Sequence, residues 1–214
     1  MTNRVVIFTG GSLDDWALAH IRPDDKLIGA DRGASFLIEH GLITDLAIGD
    51  FDSVTPQQME QIRQISRETL DCDPIDKNYT DTELAFHHAL ELRPDEIVLI
   101  GALGSRFDHT LANVQLLALA VEHNIPAYIF DEHNAIQLAV GPAAVTVEKK
   151  DYSHMSLLPF SSRVTGIYLH GFQYPLNDAT LQTGQSLGIS NVIAEQTGIV
   201  EWREGQLLII RSKD

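Results

Sequence analysis

The 214-residue sequence has one cysteine, Cys72. An intramolecular disulfide and a Cys-x-x-Cys zinc site are therefore excluded, and Cys72 reads as a structural or surface thiol. No apolar run approaches the ~20 residues that a membrane-crossing helix needs. Met1–Arg4 leads directly into a strand-like run without the pattern of a secretory signal. These absences predict a cytoplasmic protein with no membrane partner. Basic residues are also scarce, 15 Lys and Arg against 30 Asp and Glu, for a formal net charge of −15. Nucleic acid and anionic lipid, which need a basic face, are not expected partners. A Gly-Lys-Ser or Gly-Lys-Thr of the P-loop kind is missing as well. What is present is 44% hydrophobic and 21% charged residues, enough for one good core or two modest ones.

Short apolar runs at Arg4–Phe8, Lys26–Ala30, Leu46–Ile48, Glu96–Ile100 and Ala127–Phe130 alternate with helical periods. Ala34, Leu37 and Ile38 share one helical face, and Gly41 stands where a C-terminal cap belongs. Thr55-Pro56-Gln57-Gln58 has capping-box spacing with proline at the first helical position, and Thr80-Asp81-Thr82-Glu83 repeats the start signal. A further helix is expected from about Thr110 to His123. Strand, crossover helix and strand in repetition predict a mostly parallel sheet with helices on both faces over residues 1–132. From Ala135 the pattern becomes short β-branched runs: Ile136–Val140, Ala144–Val147, Met155–Pro159, Val164–Leu169, Gly198–Trp202 and Leu207–Ile210. Residues 133–214 are thus expected to form an all-β, sandwich-like domain, with Arg203-Glu204-Gly205-Gln206 as a hairpin link between the last two runs.

Asp50 and Asp52 sit where the buried run Leu46-Ala47-Ile48 ends. In an open α/β sheet, ligands bind at the carboxyl ends of the strands, so both carboxylates would face that crevice. Two hard oxygen ligands suit Mg²⁺ shared with substrate phosphates, although Asp-x-Asp alone is equally a solvated acidic turn. Asp31, Asp81 and Asp108 recur at similar positions. Singly they read as helix-start charges or Asx turns, but several carboxylates at one sheet edge repel unless a cation shares them. Gly101-Ala102-Leu103-Gly104-Ser105-Arg106 could bring backbone N–H groups and a guanidinium to phosphate oxygens. Arg32 and Lys77 are further phosphate candidates, and His109 stands beside Asp108. On composition alone, a nucleotide-sugar glycosyltransferase using Mn²⁺ fits the same Asp-x-Asp.

Five ordered blocks resemble thiamine pyrophosphokinases: Ala30–Ala34, Ile48–Ser53, Lys77–Asp81, Gly101–Asn113, and Gly171–Leu176 with Gly188–Asn191. The resemblance implies transfer of a pyrophosphoryl group from ATP to the hydroxyl of thiamine by a homodimer. It implies Mg²⁺ on Asp50, Asp52 and Asp81, with Asp31 and Asp108 lining the cleft. On the physical mechanism, either Asp81 or Asp108 would accept the hydrogen bond of the alcohol. Arg32, Gly33, Lys77, Gly101, Gly104, Arg106, His109 and Asn113 would serve the nucleotide. Ser190 and Asn191 would approach thiamine. The sequence departs from the family pattern at Arg32, where glycine is common, and at Asn78, where an acidic residue is frequent. Those departures keep open a non-catalytic sensor that binds the same ligands.

Overall fold

The computed structural model describes residues 3–72, 78–149 and 152–214. Its contacts divide the chain into two compact units, Met1–Glu132 and His133–Asp214.

The first unit contains strands β1 (Arg4–Phe8), β2 (Lys26–Ala30), β3 (Leu46–Gly49), β4 (Thr69–Asp71), β5 (Glu96–Ile100) and β6 (Ala127–Phe130). Helices α1 (Arg32–Glu39), α2 (Pro56–Ile65), α3 (Asp81–Glu91), α4 (Phe107–Gln115) and α5 (Leu117–Glu122) alternate with them. The strands pair in parallel in the order β6-β5-β1-β2-β3-β4. The direction of winding therefore reverses between β1 and β5. All five residues of β1 are buried, as a strand covered on both faces requires. Val6 and Phe8 pack with Leu37 of α1 and with Ile100. Val5 and Ile7 leave the opposite face, and α3 lies against β1, β2 and β3.

The helix starts follow from local chemistry. Thr55 and Gln58 close the expected capping box, with Gln58 N–H donating to Thr55 Oγ1 at 3.3 Å and Thr55 N–H to Gln58 Oε1 at 2.8 Å. Thr80 caps α3 by accepting from Glu83 N–H at 3.2 Å. The expected Thr110–His123 helix begins earlier, at Phe107, and divides at Leu116. There the Leu116 carbonyl accepts from Leu119 N–H at 3.0 Å, an i to i+3 tightening that lets adjacent Leu116 and Leu117 both bury. Strand β4 was not evident from its sequence, being a three-residue edge strand without an apolar run.

At the amino ends of the strands, Arg4 is only 4% exposed. It pairs with Asp25 at 3.1 Å and Glu96 at 2.9 Å, and donates to the His20 carbonyl at 2.8 Å. This cluster ties β1 to the segments entering β2 and β5.

The second unit contains β7 (Asn134–Val140), β8 (Ala143–Glu148), β9 (His154–Pro159), β10 (Arg163–His170), β11 (Ala179–Gln182), β12 (Asn191–Val192), β13 (Thr197–Trp202) and β14 (Gln206–Ser212). They form antiparallel sheets in the orders β7-β14-β9-β12 and β11-β10-β13-β8. Leu157, Leu207 and Ile209 of the first meet Val147, Val164, Leu169, Val200 and Trp202 of the second in one core. The sandwich is as expected, but the hairpin is not. β13 pairs with β8 and β10, whereas β14 pairs with β7 and β9, so Arg203–Gly205 carries the chain from one sheet to the other. β13 alternates buried and exposed residues whereas β14 buries Leu207, Leu208 and Ile209 in succession, and facing sheets bury both apolar sets where a two-stranded ribbon could not. Gly205, at φ +96°, makes the turn, and Trp202 Nε1–H donates to its carbonyl at 3.1 Å.

Arg4→Ala should cost about 3–5 kcal/mol, because it leaves the Asp25 carboxylate buried without its cation. Chemical denaturation should show the loss; a change below about 1 kcal/mol would mean the cluster is dispensable.

Candidate active site

The loops leaving β1, β2, β3 and β5 and the start of α3 enclose a cleft of about 520 Å³. It lies at the carboxyl ends of the parallel strands, over the β1/β5 reversal, where such sheets bind ligands. The two central loops are fastened together: Thr9 N–H donates to the Ile100 carbonyl and Gly11 N–H to the Gly101 carbonyl, each at 2.9 Å. Gly33 lies where a Cβ would stand 2.0 Å from the Phe8 carbonyl oxygen, so the first turn of α1 closes directly onto the end of β1. Its role is that close approach, and it is not among the cleft-lining residues.

Asp31 precedes α1 with φ +49° and ψ −117°, a costly conformation for a residue with a side chain. It is placed to cap the helix, yet its carboxylate makes no capping bond. One oxygen accepts from Ser53 Oγ, and the other, Oδ1, is buried with no hydrogen-bond partner among the described residues. After β3, Phe51 takes φ +53° and buries its ring beside Ala34 and Ile62. That inversion leaves Asp50 and Asp52 on the cleft side, with Asp52 N–H donating to Asp50 Oδ1 at 3.3 Å. Oxygens of Asp31, Asp50 and Asp52 all lie within 4.8 Å of one another. Hard oxygens in that number, one of them buried and unsatisfied, match what a Mg²⁺-sized ion requires.

Among the described residues, Asp31 thus stands with Asp50 and Asp52, two of the three residues expected to hold the metal. Asp81 lines the same cleft at the first position of α3. A Cβ built on Gly49 would stand 3.4 Å from both the Asp81 carboxyl carbon and the Asp31 Cβ. Gly49 therefore lies in contact range of both acids.

The loop after β5 contributes Gly101, Gly104, Arg106, His109 and Asn113 to the cleft wall. Two of these are committed to the loop itself. The buried Asn113 donates its amide to the Ala102 carbonyl at 2.7 Å, and Gly104 N–H donates to Thr110 Oγ1 at 3.2 Å. Asp108 faces Arg106 at 2.6 Å and is not among the cleft-lining residues. The hydrogen bond from Arg106 holds its carboxyl below the usual carboxylate range, and the same bond raises the guanidinium. Asp108 therefore orients Arg106. Arg32 reaches the cleft from α1. Lys77 lies outside the described residues.

In the second unit, Asn191 is 6% exposed. Its Oδ1 accepts from Tyr174 N–H at 3.1 Å and Val192 N–H at 2.9 Å, and its Nδ2 donates to the Tyr174 carbonyl at 2.7 Å. Asn191 therefore shapes the Gly171–Leu176 loop. Ser190 is exposed at φ +57°, with its N–H donated to Ser156 Oγ.

Residues 19–129 match the family described as "Thiamin pyrophosphokinase, catalytic domain", and residues 144–207 match "Thiamin pyrophosphokinase, vitamin B1 binding domain". A curated thiamine pyrophosphokinase of Bacillus subtilis is 38% identical over 188 residues, covering 87% of each chain. The chain belongs to the thiamin pyrophosphokinase family. A crystal structure of the Bacillus subtilis thiamine pyrophosphokinase superposes with TM-score 0.91 at 34% identity, covering 99% of this chain and 100% of that one. The Candida albicans thiamin pyrophosphokinase shares the fold, with TM-score 0.85 at 17% identity over 99% of this chain and 90% of the other. Membership in this family of diphosphotransferases removes the nucleotide-sugar transferase reading.

Asp31→Asn should abolish the rise in melting temperature that Mg²⁺ produces, while the metal-free protein melts no lower than wild type because a repelling carboxylate has gone. Thermal scans with and without Mg²⁺ check this. An undiminished Mg²⁺ shift would remove Asp31 from the cation site.

Proposed function

We propose that the chain transfers the intact pyrophosphoryl group of ATP to the hydroxyl of thiamine, giving thiamine diphosphate and AMP in the cytoplasm, where ATP and Mg²⁺ are abundant. The observation that carries the reading is the Asp31, Asp50 and Asp52 group at the strand ends of a family member. These three carboxylates would hold Mg²⁺, with Asp81 beside them. When bound, the ion would offset the charge of the phosphate oxygens. Transfer of this kind depends on positioning and charge stabilisation. Arg106, oriented by Asp108, and Arg32 would steady the polyphosphate, with Lys77 as a third cation. Asp81, inside the cleft, is better placed than the rim residue Asp108 to accept the hydrogen bond of the thiamine hydroxyl.

Thiamine recognition is assigned to the second unit, with Ser190 as a contact and Asn191 as the residue that positions the Tyr174 loop. We place a homodimer contact on the same surface. Tyr174, Leu187 and Ile189 are 58%, 61% and 41% exposed there, and apolar exposure of this kind favours a covering partner.

The purified protein with ATP, Mg²⁺ and thiamine should release AMP and thiamine diphosphate in equal amounts, and EDTA should stop both. Binding of both substrates without AMP would favour the sensor. Asp50→Asn should lower turnover by ~10²-fold or more with the melting temperature retained, by analogy with loss of a charge-stabilising group. Near-normal turnover with unchanged Mg²⁺ dependence would remove Asp50 from the site.

A further inference from the structure

Asp31 is the member of the carboxylate group that comes from the loop after β2, and its main chain is already fixed. Its N–H donates to the Ile48 carbonyl in β3 at 2.9 Å, and its carbonyl accepts from Ala34 N–H in the first turn of α1 at 3.0 Å. What remains free is the side-chain torsion. Two forces would turn the carboxylate away in the metal-free protein: repulsion by Asp50 and Asp52, and the attraction of the helix N-terminus for an acid that precedes it. Neither prevails. The carboxylate makes no capping bond and keeps an oxygen within 4.8 Å of oxygens on Asp50 and Asp52.

The group that opposes both forces is the Ser53 hydroxyl. It donates to Asp31 Oδ2, and among the described residues no other side chain donates to that carboxylate. Ser53 follows Asp52 directly, so the bond ties the loop after β3 to the loop after β2, across 22 residues of chain. With Oδ2 committed in this way, Oδ1 is the oxygen left buried and unsatisfied. Local chemistry gives no other reason for the hydroxyl. Ser53 is exposed and caps no helix, since Thr55 does that for α2. A hydroxyl also suits the place because it is neutral: an Arg or Lys there would hold the carboxylate equally well but would repel the cation. Carboxylates that ligate a metal are in turn fixed by hydrogen bonds, and loss of such a partner costs roughly 10–100-fold in affinity.

We propose that Ser53 is a positioning residue of the cation site: its hydroxyl turns Asp31 toward Asp50 and Asp52 and so sets the affinity for Mg²⁺, without touching the ion or the transferred group. The assignment rests on the reading of these carboxylates as the Mg²⁺ site.

The probe is the ion alone, with neither nucleotide nor thiamine. Mn²⁺, which the same hard oxygens accept, is titrated into the protein while free ion is counted by electron paramagnetic resonance, and Mg²⁺ is measured by competition. Ser53→Ala should weaken both ions roughly 10–100-fold. Its metal-free form should melt within about 2 °C of wild type, because release of Asp31 from its like-charged neighbours offsets the lost bond. Ser53→Thr, which keeps the hydroxyl, should recover most of the affinity. In an Asp31→Ala background, where Asp50 and Asp52 retain a weak site, Ser53→Ala should add little, since the hydroxyl acts through Asp31. Unchanged ion binding in Ser53→Ala overturns the assignment, as does a lower metal-free melting temperature with ion affinity intact, which is the signature of a structural role. A full further loss in the Asp31→Ala background also overturns it, because Ser53 would then be a ligand in its own right. Wild type that binds the ions without forming thiamine diphosphate overturns the proposed reaction alone, and the titration still decides Ser53. Wild type that binds neither ion overturns both.

Discussion

Crowding of negative charge at the carboxyl end of a parallel sheet governs the first unit. Asp31, Asp50, Asp52 and Asp81 converge above β2 and β3, and nothing in the packing of a sheet asks for that. The backbone is bent to permit it. Asp31 and Phe51 take positive φ, and so does Gly49, at φ +150°, which lies against both Asp31 and Asp81. Strain and like-charge repulsion concentrated at one place are the mark of a site built for a ligand that relieves them.

The rigid frame makes this possible. β1 is buried along its whole length, and the loops leaving β1 and β5 are fastened to each other by backbone hydrogen bonds. At the far end of the strands, the Arg4 cluster with Asp25 and Glu96 anchors the same elements. The acidic loops are thus held between a fixed sheet and short helices, so their carboxylates keep their places in the face of repulsion. The division of labour on the α4 side follows the same logic. Asp108, Asn113 and Thr110 use their polar groups to hold Arg106 and the glycine loop in shape.

Much of this was legible in the order of residues. Apolar runs bounded by glycine and aspartate located the strands, and Thr55 and Thr80 announced the starts of α2 and α3, because caps are local chemistry. Strands β4, β11 and β12 escaped notice because two to four residues carry too little periodicity. The supposed hairpin at Arg203–Gly205 failed for a different reason: a turn signal states that the chain reverses, and cannot state which strands then pair.

The sequence by itself determined the two-part architecture, the family blocks and the set of acidic residues from which the site is drawn, because each is written in contiguous spacing. Only the tertiary structure decided which acids meet. Asp31 joined Asp50 and Asp52 through a backbone turn at Phe51, while Asp108 went to Arg106 and Asn191 to the Tyr174 loop. Those assignments depend on distances between segments remote in the chain, and such distances are fixed only when the sheet brings the strand ends together.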